Sequence, residues 1–298
     1  MTSQLLPRIY FRMWRLQLRL VSDAWAISNG IWLGVLSRSA LGAIDDMYYV
    51  GSVAEFERRI DYRADAYNKQ GLWLWERQAI ERYFSRKGRL AVLGAGGGRE
   101  VLALKRLGFE VDGWECQEEF VNAANRILTA NGLEATVSLI PRDTCPPGDP
   151  SYSGIVIGWG VYTAIQGSQR RIALLRAVRE RLGQGSPVLL SFYSRDSAEL
   201  IRFRLIATIA NILRPLARRE RVEVGDNLAP NYGHFFTESE VRSELESAGF
   251  TLALYSTNNR MRPFAHAVAI AYPPPSAQEA TDHASRRRAA DGRADPSY

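Results

Sequence analysis

Three glycines at alternate positions mark the stretch of this 298-residue chain that is best suited to chemistry. Residues 89–100 read Arg-Leu-Ala-Val-Leu-Gly-Ala-Gly-Gly-Gly-Arg-Glu, so an apolar run ends at Gly94, Gly96 and Gly98. Apolar residues then resume at helical spacing, which predicts a strand, a glycine turn and a helix. Glycine lets the backbone reverse sharply close to a ligand, and the N–H groups at a helix N-terminus favour an anion. The stretch therefore predicts a site for a nucleotide-like cofactor.

An acidic residue follows at the distance at which doubly wound folds bind ribose. Glu115 ends the next predicted strand, 21 residues after Gly94, and a carboxylate at this place accepts hydrogen bonds from ribose hydroxyls. Arg99 stands where the dinucleotide pattern G-x-G-x-x-G has its third glycine. Because the spacing is G-x-G-x-G instead, the sequence disfavours a nicotinamide-dependent oxidoreductase.

These residues resemble the glycine turn of the class I S-adenosylmethionine-dependent methyltransferases, and the resemblance runs from about residue 55 to residue 272. It implies that S-adenosylmethionine is the cofactor, that Glu115 holds its ribose and that Asp143 reads the adenine amino group. The other cofactor contacts implied or expected are Gly94, Ala95, Gly96, Gly98, Cys116, Thr144, Trp159, Gly160 and Tyr67. One position departs from the family pattern, since many members carry an acid where this chain has Val92.

The elements that must position this site alternate along the chain. Strands are predicted at 90–93, 110–115, 135–140, 153–158, 188–193, 250–255 and 266–272, and helices at 99–107, 118–131, 168–182 and 238–247. Alternation predicts parallel strands joined by right-handed crossovers. The resemblance implies that the last strand inserts antiparallel. We therefore predict an α/β fold with a doubly wound, mostly parallel sheet of about seven strands.

Two basic amphipathic stretches flank this sheet in sequence. Arginines at 8, 12, 15 and 19 form one helical stripe within a predicted N-terminal segment, residues 1–54. Ser22-Asp23 is predicted to cap a second helical piece, which Asn29-Gly30 interrupts. An insertion at 195–232 in the domain 55–272 carries the other basic stretch, and a disordered tail is predicted at 273–298. The N-terminal segment is either a helical lid with a solvated arginine face or an interfacial helix on an anionic membrane.

The amino-acid composition limits the kinds of binding partner and the cellular compartment that are expected. The net charge is +6 and the basic residues are almost all arginine, which favours acidic partners. No Lys/Arg run with interleaved aromatic residues points to nucleic acid. Cys116 and Cys145 form no CxxC or Cys/His cluster, so neither a zinc site nor a disulfide framework is indicated. We expect a cytoplasmic protein without a bound metal, with no apolar run long enough to span a membrane.

Methyl transfer by in-line displacement requires alignment, exclusion of water and removal of a proton. His234 is the first candidate for the base, because the pKa of histidine lies closest to neutral pH. The alternative is a histidine bonded to backbone where the insertion rejoins the domain. Tyr162 is the next candidate, and both it and Trp159 suit either the core or the pocket. The sequence favours a methyltransferase for a small-molecule or lipid-linked acceptor, over a noncatalytic membrane-peripheral or scaffold protein.

Overall fold

The computed structural model describes residues 5–51, 60–85, 88–148, 152–214, 220–257 and 264–272. For residues 5–11, 14–16, 18 and 19 it describes the backbone alone. The predicted domain boundary at 54/55 and the predicted tail at 273–298 lie outside the described residues.

Strands and helices alternate through the middle of the chain, as the hydrophobic pattern predicts. The strands are β1 Arg89–Leu93, β2 Glu110–Glu115, β3 Val137–Leu139, β4 Gly154–Ile157, β5 Pro187–Ser194, β6 Asp226–Leu228, β7 Tyr232–Phe236, β8 Phe250–Thr257 and β9 Phe264–Ala271. The helices are α1 Leu5–Val35, α2 Arg38–Val50, α3 Asp65–Asn68, α4 Leu74–Tyr83, α5 Arg99–Arg106, α6 Glu118–Ala130, α7 Val161–Ala164, α8 Ser168–Glu180, α9 Leu200–Leu213 and α10 Glu238–Ser247.

The central sheet has the predicted α/β topology. Strands β3, β2, β1, β4 and β5 are parallel neighbours in that order. Strand β9 inserts antiparallel between β5 and β8. Because helices cover both faces, β1 and β4 are buried almost throughout, which explains their continuous apolar sequences. The expected mostly parallel sheet with an antiparallel last strand is confirmed.

The hairpin of β6 and β7 extends the sheet beyond the seven strands predicted. Strand β7 pairs parallel with only the end of β5, where Tyr193 lies beside Phe235 and Ser194 beside Phe236. Strand β6 runs antiparallel to β7. The two strands have only three and five residues, so their sequences carry little of the period-2 pattern by which strands are recognised.

Helix α1 runs unbroken through the two places where the sequence predicts a cap and an interruption. Those two predictions are wrong, because contacts with distant residues hold the helix together. A Cβ atom on Gly30 would lie 2.9 Å from the Ile206 carbonyl oxygen, so glycine allows α1 to pack closely on α9. The Asn29 side chain donates to the Leu228 carbonyl at 2.5 Å and accepts from its N–H at 3.1 Å. Among the described helices, none combines the length and apolarity needed to cross a bilayer.

Candidate cofactor and acceptor site

A cavity of about 170 Å³ lies at the C-terminal ends of β1, β2 and β4. A second, more open cavity of about 510 Å³ adjoins it, and Cys116 and Gln117 line both. Together they offer the volume of a typical ligand site, about 300–1,000 Å³. Eight of the predicted cofactor contacts line the smaller cavity: Gly94, Gly96, Glu115, Cys116, Asp143, Thr144, Trp159 and Gly160.

The glycine turn has the backbone conformation that its sequence requires. Gly94 and Gly96 have φ values of 71° and 51°, in the left-handed region that side chains rarely occupy. A Cβ atom on Gly94 would lie 2.4 Å from a methyl carbon of Val161, whereas one on Gly96 would meet no heavy atom within 4 Å. The turn is therefore closed on the Val161 side and open towards the cavity at Gly96.

Glu115 joins this turn to the end of β2. Its buried carboxylate accepts hydrogen bonds from the N–H groups of Gly96 at 2.8 Å, Cys116 at 2.7 Å and Gln117 at 3.1 Å. A carboxylate offers about four lone-pair positions, and three are taken here. From the described residues, the Oε2 atom accepts only the Gly96 bond, so it keeps one position for a hydroxyl group in the cavity.

Helix α2 covers the end of the cavity near Asp143. The Asp143 carboxylate pairs with Arg38 at 2.8 Å, and Asp46 pairs with Arg142. Asp46 also accepts a hydrogen bond from the Gln117 side-chain nitrogen at 2.9 Å. The other polar atom of that amide, Oε1, is buried and has no hydrogen-bond partner among the described residues.

Three predicted cofactor contacts do not line the cavity. Ala95 is buried within the turn. A Cβ atom on Gly98 would lie 3.0 Å from the Ala124 Cβ, so this glycine serves the close packing of α5 on α6. Tyr67 is buried under Arg99, whose guanidinium carbon lies 5.9 Å from the centre of its ring.

Comparisons with known proteins bear on this arrangement. No protein-family model matches the chain, and no curated protein matches it. Solved structures do match. An S-adenosylmethionine-dependent methyltransferase from Methanosarcina mazei is 17% identical with a TM-score of 0.55, over 68% of this chain and all of that one. The fold is that of the class I S-adenosylmethionine-dependent methyltransferases.

Two other neighbours were solved with bound ligands. The 1,6-didemethyltoxoflavin-N1-methyltransferase of Burkholderia thailandensis, with its substrate and S-adenosylhomocysteine, is 15% identical with a TM-score of 0.55, over 80% of this chain and 92% of that one. The glycopeptide N-methyltransferase MtfA, complexed with S-adenosylmethionine, is 17% identical with a TM-score of 0.50. The match covers 66% of this chain and 92% of that one. At these identities the likeness concerns the methyltransferase fold alone.

Within this methyltransferase fold, Tyr162 lies in the core rather than in the cavity wall. Its side chain is fully buried and its hydroxyl donates to the Glu244 carboxylate at 2.5 Å. Burial and the negative charge of Glu244 raise the pKa of this phenol well above its ordinary value. The sequence predicted a role in proton removal for Tyr162, and the structure places its hydroxyl in a buried hydrogen bond outside the cavity lining.

His234 belongs to the same buried region and also lies outside the cavity lining. Its Nδ1 atom is 2.7 Å from Asp226, and Asp226 with Glu223 completes a group whose ligand atoms lie within 4.8 Å of one another. Arg171 reaches Glu223 at 2.7 Å and Glu244 at 2.6 Å. A buried guanidinium thus already supplies positive charge here, and the histidine is held where the insertion rejoins the domain.

Arg99 occupies the position that the third glycine has in the dinucleotide pattern, and its side chain is buried. It is 1% exposed, and its guanidinium binds Glu76 at 2.6 and 2.7 Å and Glu100 at 2.6 Å. Its guanidinium carbon also lies 5.1 Å from the centre of the Trp73 ring. Burial disfavours the charged form of the guanidinium and so lowers its pKa. The negative charges of Glu100 and Glu76 outweigh this effect and raise the pKa of Arg99 above its usual value. The residue therefore ties α4 to the first turn of α5.

A set of aromatic side chains beside the cavity was not predicted from the sequence. Ring centres are 5.8 Å apart for Tyr49 and Tyr62, 4.8 Å for Trp159 and Phe264, and 4.7 Å for Phe264 and Tyr193. We call these five residues the aromatic wall. Tyr49, Tyr62 and Trp159 line the cavity itself. For Tyr49 and Tyr62, the signal in the sequence was the richness of residues 43–70 in tyrosine and aspartate.

Proposed function

We propose that the chain transfers the sulfonium methyl group of S-adenosylmethionine to an acceptor by in-line displacement. One observation carries this proposal: the Glu115 carboxylate is hydrogen-bonded to the glycine turn at Gly96, and both line one cavity at the strand ends of a methyltransferase fold. The methyltransferase neighbours support the activity at the level of the fold.

The residues present suit this cofactor. Gly96 leaves open space beside the turn for its methionine part, and the remaining position on Glu115 suits a ribose hydroxyl. Asp143, which lines the cavity, would serve the adenine amino group. The bound donor supplies an activated methyl group. The chain supplies alignment, and helix α2 excludes water from the Asp143 end.

We propose a small-molecule acceptor first and a lipid-linked acceptor second. The Burkholderia thailandensis enzyme was solved with bound 1,6-didemethyltoxoflavin, a small molecule, which supports the first choice. His234 and Tyr162 were the candidates for proton removal, and their burial in the network around Arg171 supports a structural role for both.

Calorimetry with three ligands tests the proposed cofactor. We expect S-adenosylmethionine and S-adenosylhomocysteine to bind and NADH to give no heat of binding. Binding of NADH would favour an oxidoreductase, and binding of none of the three would favour a noncatalytic protein that keeps the fold. The titration needs no knowledge of the acceptor, so its outcome is independent of the acceptor's identity.

We further propose that α1 lies on an anionic membrane surface, on the cytoplasmic side where anionic lipids are enriched. Away from the stripe packed on α9, the described part of this helix exposes many apolar side chains. Seven of them are between 44% and 69% exposed: Met13, Leu20, Val21, Ile27, Ile31, Trp32 and Val35. Arginine borders the described part of this helix, since the guanidinium carbon of Arg202, on α9, lies 5.1 Å from the centre of the Trp25 ring, and Arg12 of α1 is exposed. An apolar face bordered by arginine suits anionic lipid.

Sedimentation with anionic liposomes at two salt concentrations tests this surface. We expect the protein to pellet with the liposomes at low salt and less at high salt, because salt screens the arginines. Trp32→Asp should reduce the bound fraction several-fold, since it places a charge in the apolar face. Leu74→Asp is the matched control, because Leu74 is 72% exposed but lies on α4. Salt-independent dimerisation without lipid would assign the face to a second copy instead.

A further inference from the structure

A second kind of cavity, rich in arginine, lies next to the cofactor site. Its volume is about 240 Å³, below the range of about 300–1,000 Å³ for sites that take drug-sized ligands. We call it the arginine pocket, and its charged lining residues are Arg38, Arg170, Arg214, Arg221, Glu220 and Asp226. Arg38 also pairs with Asp143 of the cofactor cavity at 2.8 Å. The two cavities share no lining residue, so the arginine pocket is a separate site.

Three arginines of this pocket act on one carboxylate, that of Glu220. Arg170 pairs with the carboxylate at 2.5 Å, and Arg214 donates to the backbone carbonyl of the same residue at 2.5 Å. The hydrogen bond from Arg170 is the largest cause of the lowered pKa of Glu220. Burial opposes it, and the positive charges of Arg170, Arg38 and Arg214 lower the pKa further. The pocket thus stabilises a negative charge at this point, although the Glu220 side chain is 67% exposed. An external anion can replace an exposed carboxylate there.

A fourth arginine has a positive charge that the described residues do not neutralise. Arg221 lines the pocket and is exposed, and it makes no ion pair with any residue that the structure describes. The second carboxylate of the pocket, Asp226, is buried. It accepts from the Tyr232 hydroxyl at 2.6 Å and lies 2.7 Å from His234 Nδ1. Asp226 is therefore bound within the protein, and Arg221 is available to a ligand.

A phosphate group suits this arrangement better than a second carboxylate does. Guanidinium groups bind the oxygen atoms of either group in pairs. A phosphate monoester has three terminal oxygens and about 1.5 to 2 negative charges at neutral pH. Arg170 lies in the first turn of α8 and Arg221 follows α9, so the two reach the pocket from different segments. One group with oxygens on several sides can bond to both.

Exposed apolar side chains lie at the same end of α1 and α9 as the pocket. Arg214 donates to the Leu33 carbonyl at 2.9 Å, and both residues line the pocket, so the two helix ends meet there. Trp32 and Val35 lie within two positions of Leu33, and Ile212 lies two positions before Arg214. These three side chains are 54%, 48% and 68% exposed. Basic pockets beside apolar surface are typical of sites for lipid headgroups.

We propose that the arginine pocket binds a phosphate monoester, which takes the place of the Glu220 carboxylate at Arg170 and also bonds to Arg221. The apolar side chains at the two helix ends favour a lipid headgroup over a soluble phosphate ester. This choice of lipid rests on the proposed membrane surface of α1, whereas the anion site itself rests on neither that surface nor methyl transfer. A bound headgroup would hold the end of α1 at the membrane and give the contact a preference for one class of lipid.

Calorimetry with glycerol 3-phosphate tests the anion site, with glycerol as the uncharged counterpart. We expect the ester alone to bind, and Arg170→Gln and Arg221→Gln each to weaken its binding about tenfold. Glu220→Gln should strengthen binding several-fold, because it removes the competing carboxylate. Arg176→Gln is the matched control, since Arg176 is an exposed arginine of the same helix α8 that donates to the Ser247 carbonyl outside the pocket. Unchanged affinity in both pocket variants, or weaker binding by Glu220→Gln, would overturn the site.

Sedimentation with vesicles distinguishes the two sources of the phosphate. Phosphatidylcholine vesicles carry either phosphatidic acid, a phosphate monoester, or phosphatidylglycerol, a diester, at equal surface charge. We expect several-fold more protein on phosphatidic acid, and we expect Arg170→Gln and Arg221→Gln, but not Arg176→Gln, to remove this preference. Trp32→Asp should lower binding to both vesicles and leave glycerol 3-phosphate binding unchanged. Binding of the soluble ester with no preference between the vesicles would overturn the lipid as its source.

Titration of the same variants with S-adenosylhomocysteine separates this inference from the proposed function. Arg170 and Arg221 do not line the cofactor cavity, so both variants should bind S-adenosylhomocysteine like the parent, which also shows that they are folded. Failure of the parent to bind it would reject the cofactor and leave the anion site standing. A parent that binds S-adenosylhomocysteine but neither glycerol 3-phosphate nor phosphatidic acid in preference to phosphatidylglycerol would overturn the anion site alone.

Discussion

Replacing Arg99 with methionine is expected to lower the free energy of unfolding by about 3–5 kcal/mol, because it leaves buried carboxylates unpaired. Arg99 and Glu76 are 2% and 3% exposed as side chains and meet at 2.6 Å, and Glu100 shares the same guanidinium nitrogen. Methionine fills much of the volume of the arginine side chain, but it offers the carboxylates neither a positive charge nor a hydrogen-bond donor. Urea denaturation, with the slope of the transition compared between variant and parent, measures the change.

Arg89→Met is the matched control for this prediction. Arg89 pairs with Asp112 at 2.7 Å, but its side chain is 52% exposed, and an exposed pair contributes at most about 1 kcal/mol. The two substitutions are chemically identical and differ in burial. Equal losses for the two variants would contradict the assignment of Arg99 to a buried ion-pair network.

Replacing Glu115 with alanine is expected to weaken S-adenosylhomocysteine binding by about 1.5–3 kcal/mol, the size of hydrogen bonds to a charged group. This corresponds to roughly a 10- to 150-fold rise in Kd. The ribose loses its acceptor, and three backbone N–H groups that hold the turn lose theirs. Calorimetry at one temperature and salt concentration measures the change.

Glu110→Ala controls for the loss of a carboxylate from the same strand. Glu110 begins β2 and is exposed, whereas Glu115 ends it and is buried. We expect Glu110→Ala to bind like the parent. If Glu115→Ala kept the parent affinity while its unfolding curve remained cooperative, the cofactor would have to bind away from the end of β2.

Local sequence was sufficient for the central part of the fold and for the backbone conformation of the glycine turn. The apolar run of β1, the glycines after it and the acid at the end of β2 each depend on residues a few positions apart. Backbone conformation at Gly94 and Gly96 follows from the residue type itself. The position of Glu115 follows from the length of one strand–helix–strand unit.

Side-chain environments set by distant residues could not be predicted in this way. Tyr162 meets Glu244, 82 positions away, and this contact places its hydroxyl in the core. Asn29 meets Leu228 across 199 positions, which keeps α1 continuous where the sequence suggests a break. Periodicity reports which face of an element is apolar, but it does not report which element covers that face.

The sequence by itself determined the alternating strands and helices, the glycine turn and the acid that faces it, because these depend on local backbone preferences and hydrophobic period. The tertiary structure alone decided that Arg99 is buried between two glutamates and that His234 and Tyr162 lie away from the cavity. It also brought Asp45 to Tyr232, 187 positions away. The burial and the charged surroundings of these residues arise only when remote segments pack together.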